Sequence, residues 1–280
     1  MADMVGLALT PERRDELTTL LKNERLLETR YPKVAEYLDT AMALAGSGDD
    51  QADAAFDLRF VHFMTGGQST SPNPYWDIVA PSVHEHDGRR VVDGGNVEGS
   101  PRLLFAQMAL QAAYAYAIPS PETLDWVMTF CDGRPISELG AGRGYWAGQL
   151  SRMGQAVAAY ELEPPHEKSN VSFPHAEGQA DVWHPVSDLN GFSFDDHASD
   201  VLFLCWPPGW GNSMASSALA SFESSGGSRL IYIGEPKGGK TGDDAFFDAL
   251  SDRWRLNSVD SHFVSWWNLA DTAQGWVRHG

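Results

Sequence analysis

Cysteine is scarce in this chain, basic residues are outnumbered, and no long apolar run interrupts it. The two cysteines among 280 residues, Cys131 and Cys205, each lie in apolar surroundings. They make neither a disulfide framework nor a zinc cluster and read as buried, reduced thiols. Twenty Lys and Arg against 38 Asp and Glu leave a net charge of −18. That balance removes the electrostatic contribution that dominates affinity for a phosphate backbone, so no nucleic-acid partner is expected and the excess acid serves solubility. No stretch approaches the roughly 20 apolar residues of a membrane span, and the first residues lack the positive flank and apolar core of a signal peptide. A cytoplasmic protein with no membrane partner is the expectation.

What is present divides the chain into a mainly helical N-terminal region, 1–118, and an α/β region, 119–280. Hydrophobic content of 42% over 280 residues supports a sizeable core and fits one large domain or one domain plus a helical extension. Thr10 and Pro11 supply a cap and a first-turn proline for a helix running to about Thr29, Pro32 opens a second, and Ala54 to Met64 forms a third. Gly66 to Pro101 is rich in Gly, Pro, Ser and Asn, with one ribbon expected around His86 to Val92. Helices follow from Leu103 to Ala117 and from Pro121 to Phe130. Beyond Pro135, short apolar runs alternate with helical segments, the mark of a parallel sheet. Strands are expected at Ile136–Leu139, Ala156–Tyr160, Val171–Phe173, Val201–Cys205 and Leu230–Ile233, with a closing pair near Leu256–Val264 and Trp276–Arg278.

The first of these strands ends in ELGAGRG, Glu138 to Gly144, and a helix follows. Closely spaced glycines permit a tight turn and close approach of a ligand to the backbone, and the helix N-terminus favours polar or anionic groups. About 20 residues further on, the second strand ends in Glu161, placed to accept hydrogen bonds from ribose hydroxyls. From about Pro119 to the C-terminus the chain resembles the class I S-adenosylmethionine-dependent methyltransferases. The resemblance implies an α/β, Rossmann-like, seven-stranded, mostly parallel sheet with helices on both faces, preceded by the mainly helical N-terminal region. It implies S-adenosyl-L-methionine as cofactor, bound by Glu138, Gly140, Ala141, Gly142, Gly144 and Tyr145 in the turn and by Glu161 and Leu162 after the second strand. Asp181 would lie after the third strand, as adenine contact or plain turn residue, and Cys205, Trp206 and Pro207 after the fourth, beside the methyl group. Amino-group methyltransferases often carry Asp or Asn before Pro-Pro at this last point. This chain has Trp206, which offers no carbonyl to a substrate N–H, so an adenine- or amide-type mechanism does not carry over. Trp206 could still shape the methyl pocket and face the sulfonium through its ring. The implied activity is methyl transfer to an oxygen or nitrogen of a small molecule or peptide, with no catalytic residue assigned.

A second glycine loop competes. GEPKGGKT, Gly234 to Thr241, satisfies the phosphate-loop spacing and follows an apolar strand, which would make the protein a P-loop nucleotide hydrolase. Its place at the fifth strand, and the absence of an acid after Val201–Cys205, favour a surface turn instead. A non-catalytic binding protein on the methyltransferase scaffold is the remaining alternative. The pair His84 and His86 in HEHD reads as exposed polar sequence rather than a metal site. His184 is a possible base. The segment Tyr114 to Glu122 lies over the cofactor or is a packed helix end, and Trp254, Trp266, Trp267 and Trp276 read as core and sheet-face residues.

Overall fold

The computed structural model of the chain describes residue 7 and residues 9–279, so the reading of the extreme N-terminus lies partly outside the described residues. The chain forms two compact units. One holds the residues up to Ala113 together with His175–Ala180 and Trp266–Asn268. Its helices are α1 (Pro11–Lys22), α2 (Glu24–Arg30), α3 (Pro32–Ala41), α4 (Asp50–Met64), α5 (Pro74–Val79) and α6 (Pro101–Ala113). The single helix expected to reach Thr29 is two, because the Asn23 side chain accepts the Leu26 N–H at 3.1 Å and restarts the helix as α2. The third helix begins at Asp50, earlier than expected, because Asp49 caps Gln51 and Ala52. The expected ribbon is present as β1 (Val83–His86) and β2 (Arg89–Val92), closed by Asp87 and Gly88 with φ of 51° and 74°, the pair of left-handed residues a two-residue hairpin needs. Trp267 donates its N–H to Val92, and buried Trp266 donates its indole N–H to the Tyr75 hydroxyl.

The other unit contains α7 (Pro121–Cys131), β3 (Ile136–Leu139), α8 (Tyr145–Arg152), β4 (Val157–Glu161), β5 (Val186–Asp188), β6 (Val201–Cys205), α9 (Met214–Ser224), β7 (Arg229–Gly234), α10 (Asp244–Arg253) and β8 (Trp254–Val259), then the first two residues of β9 (Val264–Trp266) and all of β10 (Thr272–Arg278). Seven of these strands make one sheet in the order β5-β4-β3-β6-β7-β10-β8. Every neighbouring pair from β5 to β7 is parallel, and β10 runs antiparallel to both β7 and β8. This is a Rossmann-like α/β arrangement: a seven-stranded, mostly parallel sheet with its two faces covered by helices. Alternation within the strands divides the core: Ile136, Val201, Phe203, Ile231 and Ile233 pack with Val127, Phe130, Trp146 and Leu150 on one face, while Leu202, Leu204, Leu230 and Tyr232 pack with Leu219, Phe222, Phe246 and Leu250 on the other. Each such side chain contributes roughly 1.5–3 kcal/mol by leaving water, which is what fixes the register of the short strands. Trp254 and Trp276 lie in and against the second of these clusters.

One expected strand is absent. Val171–Phe173 is a loop, and the third parallel strand is Val186–Asp188. The Asn170 side chain accepts the N–H groups of Ser172 and Phe173 at 3.0 and 3.1 Å, turning the backbone on itself and leaving Val171 94% exposed. Among the described residues, no helix is long and apolar enough to cross a membrane.

Candidate functional site

The strand order reverses between β3 and β6, since the chain runs outward through β4 and β5 and returns to the other side of β3. In open parallel sheets the crevice beyond the carboxyl ends of the strands at such a reversal is where ligands bind. Continuing the observed pairing of Leu139 with Tyr160 and of Glu138 with Phe203 sets Gly140 level with Glu161 on one side and Cys205 on the other. Three of the residues singled out in the sequence thus come together at the ends of adjoining strands.

The glycine turn has φ of 76° at Gly140, 55° at Gly142 and 68° at Gly144, a left-handed alternation open to glycine at little cost. Gly140 and Ala141 both donate to the Tyr160 carbonyl, and Gly144, the first residue before α8, donates to Ala141. Glu161 Oε2 accepts the Gly142 N–H at 2.9 Å and Oε1 accepts the Leu162 N–H at 2.8 Å. The carboxylate is therefore fixed in orientation while keeping about half of its roughly four acceptor sites. The Leu162 side chain is exposed.

Beneath the turn, buried Glu138 accepts the Ala147 N–H of α8 at 3.1 Å. Burial pushes its carboxyl up to about 8, against the Ala147 hydrogen bond and with help from the Glu161 charge. The Cys205 thiol is pushed well above its ordinary range, first by burial and then by the charges of Glu138 and Asp271. Trp206 follows with φ of 54°, an unusual conformation for a bulky residue. It is held there by its N–H on the Ile233 carbonyl at 2.7 Å, by its indole N–H on Asp271 Oδ2 at 3.0 Å, and by Tyr116 stacked on it at 5.4 Å and 13°. Asp271 is buried, which raises its carboxyl against the hydrogen bonds from Ser265 and Trp206. Pro207 contributes its carbonyl to the Gly242 N–H.

One sequence-predicted residue sits elsewhere than expected. Asp181 precedes β5 instead of following the third strand, a consequence of that strand lying at Val186–Asp188, and its carbonyl accepts from Arg143 at 2.9 Å. The Tyr145 ring is buried against Tyr114 and Trp183, with centroids 5.0 and 5.2 Å away. This packing accounts for the start of the Tyr114 to Glu122 segment. The His184 Cβ and carbonyl lie beside Gly144, and burial lowers its imidazole.

Sequence reasoning missed three residues, Arg143, Phe173 and Asp271, and named Tyr116 only as part of the Tyr114 to Glu122 segment. Arg143, the side chain within the glycine turn, is buried and donates to the carbonyls of Pro174 and Asp181, with its guanidinium 5.8 Å from the Phe173 ring. Burial lowers it to about 10. Phe173 lies so close to the turn that a Cβ on Gly142 would be 2.5 Å from its ring. It meets Tyr116 edge-on at 5.9 Å. A lone Arg inside a glycine turn is a signal that could have been followed; Phe173 and Asp271 come from distant stretches and give none.

The second glycine loop is built around its own acid. Buried Glu235 accepts the Lys240 N–H at 2.7 Å and the Ala270 N–H at 3.2 Å, and the Thr241 hydroxyl takes the Glu235 N–H and pairs with the Tyr232 hydroxyl. A carboxylate already fills the place a phosphate would take, and α10 starts only at Asp244. Instead the loop braces the segment after β6, through the Gly209 N–H on the Lys240 carbonyl and a bridge between Pro208 and Thr241. Separately, His84 and His86 each bind one oxygen of buried Asp93, at 2.6 and 2.5 Å. Burial opposes ionisation of Asp93, yet the Gly95 N–H and the two imidazoles outweigh it and hold the carboxyl below its usual range. No group of three or more metal-ligating side chains occurs among the described residues.

No family model and no curated protein matches the chain. Solved structures similar to it include the magnesium protoporphyrin IX methyltransferase of Synechocystis with bound S-adenosylmethionine, 13% identical over 84% of this chain and 100% of that one, with a TM-score of 0.34. The CcbJ methyltransferase of Streptomyces caelestis is 14% identical over 58% of this chain and 91% of that one, with a TM-score of 0.35. An RNA methyltransferase from Salinibacter ruber in complex with S-adenosyl-L-homocysteine is 17% identical over 57% and 93%, with a TM-score of 0.32. Such a likeness assigns no substrate, and the fold rests on the strand order.

Proposed function

We propose that the chain is an S-adenosylmethionine-dependent methyltransferase acting on an oxygen or nitrogen of a small molecule or peptide. The observation that carries this reading is the level placement of Gly140, Glu161 and Cys205 at the point where the sheet order reverses, with a left-handed glycine turn between them. The donor set fits the cofactor: Glu161 keeps acceptor sites for two ribose hydroxyls, and a turn without side chains at Gly140, Gly142 and Gly144 admits close approach to the backbone. When bound, S-adenosylmethionine supplies a methyl group on a positively charged sulfur. The chain's own part is to orient the two reactants and keep water out, which Trp206, Tyr116 and Phe173 favour by their apolar surface. Assignment of region 1–118 to acceptor selection rests on its place in the sequence ahead of the cofactor-binding part. The net charge of −18 favours an acceptor other than nucleic acid.

Thermal shift with S-adenosylmethionine, S-adenosylhomocysteine and magnesium ATP in parallel tests the proposal. A ligand at 100 times its Kd adds about 2.7 kcal/mol, a shift of a few degrees in a chain of this size. Stabilisation by both adenosyl ligands is expected, and stabilisation by magnesium ATP alone overturns it.

A further inference from the structure

The connection between β4 and β5, residues 162–185, contains no helix or strand. An irregular connection of that length is uncommon in a compact domain and belongs as a rule to a lid or a binding loop. From His166 to Pro174 only one side chain, Phe173, is buried. The Asn170 turn leaves Val171 in solvent two residues before this buried ring. Phe173 is buried on the glycine turn itself. A Cβ on Gly142 would meet three of its ring atoms at 2.5, 2.6 and 3.2 Å, so the room left by the missing side chain is already taken. At Gly140, by contrast, the closest atom is the flexible end of Met214 at 3.3 Å. The Phe173 ring meets Tyr116 edge-on, and Tyr116 stacks on Trp206. Three rings therefore run from the turn after β3 to the residue after β6, across the point where the strand order reverses. Arg143 fixes the far end of the segment, with Nη2 on the Pro174 carbonyl at 2.7 Å and its guanidinium 5.8 Å from the Phe173 ring. Nearer β4, Lys168 pairs with Asp188, an exposed ion pair of the kind that contributes little. The segment thus has a firm anchor at Pro174, and one buried ring holds the rest against the turn.

Resting on the methyltransferase reading, we propose that Phe173 is a latch: its ring takes the adenosyl ligand's place on the glycine turn, and segment 166–174 swings away from Gly142 to admit S-adenosylmethionine. The latched form keeps the turn dry and holds no ligand. Apparent affinity is then the intrinsic affinity reduced by the fraction of molecules that are open.

Calorimetry and stopped-flow binding of S-adenosylmethionine to wild type, Phe173→Leu and Phe173→Ala test the latch, with amide exchange of the wild type as a readout independent of the variants. Phe173→Ala should tighten the Kd about tenfold, the reach of a state held by one aromatic contact, with Phe173→Leu between the two. The wild-type association rate should level off at high ligand concentration, where opening becomes limiting, and Phe173→Ala should lift that plateau. Bound S-adenosylmethionine should quicken exchange across residues 166–174. An unchanged Kd in Phe173→Ala makes the ring a packing residue, and a weakened one makes it part of the bound site; either overturns the proposal. Slower exchange of 166–174 in the bound wild type, the mark of a lid closing over the ligand, overturns it as well. Should neither variant fold, the exchange result decides alone. Binding of no adenosyl ligand to wild type or to Phe173→Ala overturns the methyltransferase reading itself, an outcome distinct from binding that is indifferent to residue 173.

Discussion

Replacing Glu138 by Gln should change how stability depends on pH, and the sign follows from burial. Glu138 is 2% exposed and its carboxyl is raised from 4.5 to about 8. A raised acid favours the folded state below its unfolded value, and that advantage is lost as pH rises through the folded value, here across the window from 4.5 to about 8. Gln does not titrate and its side-chain carbonyl can still accept the Ala147 N–H. The stability of Glu138→Gln relative to wild type should therefore climb with pH across that window. At about 1.4 kcal/mol for each unit of pKa shift, the ceiling is about 5 kcal/mol, and relaxation around the buried group will reduce it. Urea titrations of both proteins at about pH 5, 6.5 and 8 measure the difference directly. A difference that stays flat or falls with pH would show that Glu138 is ionised in the folded protein throughout and would refute the reasoning.

The turn supplies two further outcomes. Gly142→Ala places a methyl group 2.5 Å from the Phe173 ring in a residue with φ of 55°, and should cost about 3 kcal/mol by thermal melts and remove the stabilisation by S-adenosylmethionine. Arg143→Met keeps the apolar stem but leaves the carbonyls of Pro174 and Asp181 without the guanidinium donor. A loss of about 2–4 kcal/mol is expected, with limited proteolysis cutting first between residues 162 and 185; unchanged cleavage there would contradict the anchoring role.

How much of this was legible in the sequence depended on the range of the interactions involved. The strands Ile136–Leu139 and Val201–Cys205 announce themselves because their burial is continuous and their neighbours are short in sequence. The pairing of a glycine turn with Glu161 was legible for the same reason, since one βαβ unit contains both. Val171–Phe173 misled because an apolar triplet carries no information on whether Asn170 will turn it back, whereas Val186–Asp188 has a single buried apolar residue and gave almost no pattern. The misplacement of Asp181 followed directly from that strand. GEPKGGKT reads as a surface turn from its place at the fifth strand, but the spacing of the motif does not reveal that Glu235 fills the space its glycines open. The lock on Trp206 joins residues 65 positions apart in Trp206 and Asp271, a contact no local pattern encodes.

Equilibrium dialysis of labelled S-adenosylmethionine against wild type, Glu161→Ala and Lys240→Ala decides most directly which of the two glycine loops serves the ligand. One equivalent should bind to wild type and to Lys240→Ala with equal affinity, and at least about tenfold more weakly to Glu161→Ala, which loses the ribose acceptor. Retained binding in Glu161→Ala together with loss in Lys240→Ala would place the ligand at GEPKGGKT and contradict a cofactor site at the end of β3.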